Sequence, residues 1–241
     1  MAYQYVFKRY ETKYMLSIAQ MERVLETISP YMALDKYGKT TIRNIYFDTD
    51  NYRLIRRSME KPVYKEKMRI RSYCKAQPNS TVFVELKKKY NSVVYKRRVA
   101  MKESQALDWI MLGKRPTEDT QITREIDYFI SYYQTLHPTV FLSYDREAYY
   151  ATDGNDFRIT FDNNILARTD NLSLESDPGG TPLLSGENVI MEIKTSGGIP
   201  LWMSSFLSGE RIFKTSFSKY AKAYEKLIYN NLWEAHNHAK S

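Results

Sequence analysis

The residues with chemistry to offer recur as ionic sets spaced two apart. Arg9/Glu11/Lys13, Lys67/Arg69/Arg71, Glu85/Lys87, Lys96/Arg98, Tyr144/Arg146, Arg158/Thr160/Asp162 and Glu192/Lys194 all follow that period. In an extended strand a period of two places every member of a set on one face. The opposite positions are mostly apolar: Met68/Ile70, Val82/Val84/Leu86, Val93/Tyr95/Val99, Phe157/Ile159/Phe161 and Val189/Met191/Ile193. A water-facing surface accounts for many such patterns in antiparallel sheets. Such surfaces usually mix in Ser, Thr, Asn and Gln, whereas these positions are dominated by Arg, Lys and Glu. Arg offers planar bidentate contacts to phosphate oxygens, Lys a movable point charge, and a few carboxylates suffice to hold a hard divalent cation that bridges phosphates. The pattern implies a polyphosphorylated ligand together with Mg²⁺ or Mn²⁺.

The elements that must position these sets are mainly strands. Alternation marks a strand through the Arg9/Glu11/Lys13 set, and further strands are expected at Thr41–Asp48, Val63–Tyr73, Thr81–Lys89, Val93–Met101, Thr139–Tyr150, Asp156–Asp162 and Asn188–Thr195, with a short one at Ile165–Arg168. Ser17 with Gln20 three residues on reads as a capping box, followed by Ile18, Met21, Leu25 and Ile28 at helical spacing. Other helices are expected at Ser104–Leu112, Thr120–Leu136 and about 218–235, with a polar tail over 236–241. Ser173–Gly186, rich in Pro and Gly, reads as a surface loop. The expected fold is α+β: one domain, residues 1–241, in which a closed antiparallel β-barrel carries helices on its outside. If the helices cover the apolar face, closure turns the ionic face inward into a basic tunnel that needs an anion to neutralise it.

Composition narrows the alternatives. Thirty-six Lys and Arg against 28 Asp and Glu leave a net charge of +8, which favours an anionic partner. Cys74 is the only cysteine, so an intramolecular disulfide and a multi-cysteine zinc site are excluded. Two of the three histidines, His236 and His238, fall in the polar tail, which argues against a histidine triad. Gly179-Gly180 and Gly197-Gly198 lack the spacing of a nucleotide-binding P-loop. No recognition-helix or aromatic RNA-binding motif appears, so nucleic acid is not the expected partner. The charged opening residues do not form a signal peptide and no stretch has the length of a membrane span, so a cytoplasmic location is expected, with a membrane-protein partner still open.

An ordered set of short motifs carries a resemblance. Arg9-Tyr-Glu11-Thr-Lys13-Tyr14, Ile45-Tyr-Phe-Asp48-Thr, Arg69-Ile-Arg71, Phe83-Val-Glu85-Leu-Lys87, Tyr144-Asp-Arg146, Arg158-Ile-Thr-Phe-Asp162, Glu192-Ile-Lys194 and Ser218-Lys219-Tyr220 run nearly end to end. Together they resemble the triphosphate tunnel metalloenzymes, within them the polyphosphate polymerase domain of the vacuolar transporter chaperone complex. The resemblance implies that Lys13, Arg69, Arg71, Lys87, Lys96, Arg146, Arg158 and Lys219 bind phosphates, with Tyr144 and Ser218 assisting, and that Glu192 holds the metal. Lys194 and Lys214 are further phosphate candidates, and Glu11 and Glu85 further metal candidates. Arg69, Arg71, Arg146, Arg158 and Lys219 are the expected catalytic residues. The broader superfamily opens with Glu-x-Glu-x-Lys, whereas position 9 is Arg here, a departure that favours the polymerase branch. The implied reaction is metal-dependent transfer of the γ-phosphate of ATP to inorganic polyphosphate. Hydrolysis of tripolyphosphate or a nucleoside triphosphate, and non-enzymatic polyphosphate binding, stay open beside it. Asp48 and Asp162 are expected to orient basic residues through hydrogen bonds, and Arg98, Lys89 and Lys102 to be solvated.

Overall fold

The computed structural model describes residues 10–91 and 93–233. Strands β1 (Tyr10–Ser17), β2 (Met32–Leu34), β3 (Thr40–Asp48), β4 (Tyr64–Ser72), β5 (Thr81–Tyr90), β6 (Val93–Lys102), β7 (His137–Ala151), β8 (Phe157–Arg168), β9 (Thr181–Pro182), β10 (Asn188–Thr195) and β11 (Lys214–Thr215) form one sheet. The hydrogen-bonded order is β11-β1-β10-β8-β7-β3-β4-β5-β6, with β2 added to β7 and β9 to β8. Every pairing is antiparallel. The helices are α1 (Ile18–Ile28), α2 (Arg53–Met59), α3 (Glu103–Leu112), α4 (Gln121–Tyr133), α5 (Leu201–Gly209) and α6 (Lys219–Tyr224), the last continuing through a π turn at Glu225–Tyr229. No helix among the described residues is long and apolar enough to cross a membrane. Arg9 and the tail lie outside the described residues.

The apolar strand faces are covered as their alternation requires. Met68, Ile70, Val82, Val84 and Leu86 pack beneath Ala106, Trp109 and Ile110 of α3 and Ile126, Phe129 and Tyr133 of α4. Tyr14, Leu16, Ile159, Phe161, Met191 and Ile193 pack beneath Val24 and Ile28 of α1 and Met203 and Leu207 of α5. Ser17 caps α1 by accepting from Gln20 N at 3.2 Å, while Gln20 Oε1 accepts from Ser17 N at 3.0 Å. Ser17→Ala is expected to cost about 1 kcal/mol of stability, read by urea denaturation. Ile18, expected on the buried stripe, is 41% exposed, and Val24 takes its place in the core. The Ser173–Gly186 loop contains β9, and Gly180, at φ 110°, lies so near β8 that any Cβ there would strike the Ala167 carbonyl. The two strands expected at Asp156–Asp162 and Ile165–Arg168 are one, β8.

Two architectural expectations need correction. The ladder is not closed by hydrogen bonds: among the described residues it runs open from β11 to β6. The sheet nevertheless curls until Glu11 of β1 and Lys87 of β5, near opposite ends of the strand order, stand 3.6 Å apart. Nor are all helices outside. Tyr220, Ala223 and Tyr224 of α6, with Phe217 and Ile228, pack on Ile42, Tyr46, Val140, Leu142 and Ile190. Ile42 pairs with Tyr144 and Ile190 with Asp162, so these positions share the ionic face. That face is apolar at one end, and burial of the apolar patch draws α6 into the concavity.

Candidate functional site

Directly opposed residues in a ladder project to the same side, so register alone assembles the concave face. One row runs Tyr150, Arg158, Lys194, Glu11; the next runs Ala148, Thr160, Glu192, Lys13; a third begins Arg146, Asp162. On the other half the rows are Tyr46, Arg69, Glu85, Arg98 and Lys67, Lys87, Lys96. Arg71 joins them from β4 beside Asn44. Ser218 and Lys219 reach the same space from the N-terminus of α6, where Ser218 is the cap.

Two buried carboxylate centres organise the cations. Glu85, 2% exposed, accepts from Arg69 Nε at 2.9 Å and Nη2 at 2.7 Å on one oxygen. Arg71 Nε stands 4.0 Å from that same oxygen, while the other takes Arg98 and, at 2.7 Å, Lys96 Nζ. The second centre is Glu192, with Lys194 at 3.0 Å, Lys13 at 3.2 Å, Arg146 at 3.4 Å and Lys219 at 3.8 Å. Asp162 sits beside it and is gripped by Arg146 at 2.5 and 2.6 Å and by Lys219 at 2.5 Å. Burial by itself raises a carboxyl pKa, but the clustered cations override it and hold Glu85 and Glu192 well below the usual carboxylate range. Asp162 therefore orients basic residues, as the sequence suggests. Asp48, expected to do the same, binds no basic residue among the described ones: it accepts from Leu54 N, Ile55 N and the Tyr220 hydroxyl, tying α6 to α2.

Lys67 and Arg158 on this face lack a counter-charge among the described residues. Lys67 donates to Ser218 Oγ at 2.9 Å and has no carboxylate within ion-pair distance among the described residues. Burial, followed by Lys65, Lys87, Lys13 and Arg69, pushes its pKa down to about 7. Burial also brings Lys96 to about 7 despite Glu85. Arg158 makes no ion pair among the described residues; its guanidinium lies 4.6 Å from the centre of the Tyr150 ring, and its buried Nε has no hydrogen-bond partner. Thr160 Oγ1, beside Glu192 in register, is likewise buried without a partner. Unsatisfied buried donors cost free energy unless a ligand completes them. The face is thus built to receive an anion.

Most of the site residues expected from sequence meet here: Glu11, Lys13, Arg69, Arg71, Glu85, Lys87, Lys96, Tyr144, Arg146, Arg158, Glu192, Lys194, Ser218 and Lys219. Tyr144 takes part through its hydroxyl, which accepts from Arg71 Nη2 at 3.0 Å. Lys214 does not join them. It is exposed and pairs with Tyr14, whose side chain belongs to the outer core, so β11 turns it away from the concave face. The solvated reading of Arg98 is also overturned, because it binds Glu85 and the Tyr73 hydroxyl and stacks 4.3 Å from the Phe83 ring centre. Lys67 and Thr160 were absent from the expected site, although both obey the period of two; nothing in the sequence reveals which members of a set remain unpaired.

The described residues contain no group of three His, Cys, Asp or Glu side chains arranged to hold a metal. Glu11 and Glu192 do converge on one lysine, Lys13 Nζ lying 3.6 and 3.2 Å from them. Magnesium-type ions commonly take one or two carboxylates and complete their shell with phosphate oxygens and water, a donor set this pair fits. Glu85 fits less well: cations press within 2.7–2.9 Å of both its oxygens, whereas those on the two oxygens of Glu192 stand at 3.0–3.8 Å.

Comparison with known proteins bears on the fold and the family. A candidate adenylate cyclase from Bacillus halodurans superposes with a TM-score of 0.53 at 14% identity, over 88% of this chain and 96% of that one. A candidate adenylyl cyclase from Hippeastrum, described as having a dominant triphosphatase activity, gives a TM-score of 0.54 at 16% identity, over 90% and 96%. At these identities the likeness establishes the fold. No curated protein matches the sequence. The VTC domain pattern matches residues 8–228, nearly the whole chain, and the protein belongs to the VTC domain family.

Proposed function

We propose that the concave basic face is the active site of a polyphosphate polymerase, which takes the γ-phosphate of ATP and adds it to a growing polyphosphate chain in the cytoplasm. The observation that carries this reading is the charge arrangement: two carboxylate centres ringed by cations, with Lys67 and Arg158 left without counter-ions among the described residues. Lys13, Lys67, Arg69, Arg71, Lys87, Lys96, Arg146, Arg158, Lys194 and Lys219 then line the path of successive phosphates. Arg69, Arg71, Arg146, Arg158 and Lys219 stabilise charge on the transferring group, and Tyr144 and Ser218 help to fix its orientation. A divalent ion, Mn²⁺ or Mg²⁺, held by Glu192 with Glu11, would supply charge neutralisation across neighbouring phosphate oxygens.

The carboxylates also bear on the choice of acceptor. A water nucleophile benefits from a general base, yet Glu85 and Glu192 are held far below the range in which a carboxylate takes up a proton near neutrality. A chain-end phosphate is already anionic and needs no such base, which supports transfer over hydrolysis. Hydrolysis remains the second reading, supported by the more open Glu11 carboxylate, 26% exposed. Incubation with ATP and Mn²⁺, with products separated on a gel, tests the proposal alongside Glu192→Ala. Long polyphosphate with ADP, lost in the variant, is expected. Orthophosphate alone would replace the polymerase by a hydrolase, and binding without turnover would leave a polyanion-binding module.

The two depressed lysines add a pH dependence. Lys67 and Lys96, both near 7 in the free protein, are half charged there, and an anion must draw protons onto them. Binding of tripolyphosphate is expected to take up protons above pH 7 and to weaken as pH rises. Titration calorimetry in buffers of different ionisation enthalpy measures that uptake, which should shrink in Lys67→Met. The free protein should show the complementary trend. Because the folded pKa of Lys67 lies below the ordinary 10.5, folding expels a proton between about 7 and 10.5, and this group's contribution to stability rises across that window.

A further inference from the structure

At one rim of the channel β2 extends the face that β7 and β8 begin. Ala33 pairs with Tyr150, which pairs with Arg158, which pairs with Lys194, so one transverse row leads from a small side chain through an aromatic ring to two cations. Beyond Tyr150 lies an open cavity of about 460 Å³ lined by residues 33–37 and 150–152. That volume falls within the ~300–1,000 Å³ of small-molecule sites. Its chemistry differs from the channel's: Leu34, Tyr37 and Tyr150 are apolar or aromatic and exposed, and Asp35 is the carboxylate beside the Tyr150 hydroxyl. Lys36 Nζ lies 5.0 Å from the Tyr37 ring centre. A phosphate has little to gain next to Asp35, whereas a flat heteroaromatic ring with amino donors has both a stacking surface and an acceptor.

We propose that this cavity holds the nucleobase of the triphosphate donor, stacked on Tyr150 with Asp35 accepting from its amino group, while the phosphates run inward past Arg158 and Lys194. The proposal rests on the phosphate-channel reading and adds donor selectivity to it. Strand spacing suits the arrangement: β2 stands two strands from β8, roughly 10 Å, a span that a ribose and its first phosphate bridge. Tyr150 then has two roles, carrying Arg158 over one part of its ring and offering the rest to the base.

The test compares ATP with inorganic tripolyphosphate, which presents phosphates without a base, by titration calorimetry on the whole chain. Ala33→Trp fills the cavity, and Tyr37→Ala opens its exposed wall; neither touches the phosphate-binding residues. Base stacking of ordinary strength predicts that Ala33→Trp weakens ATP ~10-fold and Tyr37→Ala weakens it by a smaller factor, with tripolyphosphate held within about twofold for both. Equal ATP affinity in wild type and both variants would overturn the proposal, as would a parallel loss for both ligands. Failure of the wild type to bind either ligand would instead remove the phosphate channel itself, and the base site with it.

Discussion

Glu85→Gln should strongly destabilise the fold around the channel. The substitution keeps the size of the side chain but removes the charge that holds Arg69, Arg98 and Lys96 in contact and Arg71 nearby. Glu85 is 2% exposed, so water cannot replace it. Breaking a buried ion pair from one side typically costs ~3–5 kcal/mol, and this loss is expected in urea denaturation without added phosphate. Tripolyphosphate should restore much of the stability, because the liberated cations gain an anionic partner, and its stabilising increment should exceed that in the wild type. A stable Glu85→Gln protein in phosphate-free buffer would show that the cations do not depend on this carboxylate, and the two-centre description would fall.

Arg158→Ala is expected to behave in the opposite way, leaving the fold intact and removing activity. Arg158 has no carboxylate partner among the described residues, and its unpartnered Nε makes its retention costly in the free protein. Loss of one preorganised cationic donor on a transferring group corresponds to ~10²–10³ in turnover. Arg158→Lys should recover only part of this, because an ammonium lacks the planar fork and does not lie flat on Tyr150. Steady-state rates of polyphosphate formation from ATP, set beside thermal melts, distinguish a catalytic loss from a folding defect. Full activity in Arg158→Ala would place the transferring phosphate elsewhere on the face.

These contrasting expectations for Glu85 and Arg158 show how far a linear pattern reaches. Strand alternation is a local property, so the division into an ionic and an apolar face, the α1 cap at Ser17 and the β10 limits Asn188–Thr195 are all readable from neighbours in sequence. The motif order likewise made the family legible before any coordinates. Weakly periodic elements were not: α2, α5, β2 and β11 are short or evenly apolar, and their conformations depend on what they pack against. Lys214 misled for a related reason, since a two-residue strand has no alternation from which to infer its face.

By itself the sequence determined which residue types are available on one side of each strand, and hence that an anionic, phosphate-like ligand is the one to expect. Tertiary structure decided which charges cancel. Pairing across strands sets Arg69 and Arg98 on Glu85, and α6 brings Lys219 to Asp162 across 57 residues, while Lys67 and Arg158 find no carboxylate among the described residues. Coulomb energy depends on distance and on burial, neither of which is encoded in spacing along the chain. The open ladder and the entry of α6 into the concavity follow from the same cause, because they reflect how apolar area is shared among distant segments and not the preference of any one of them.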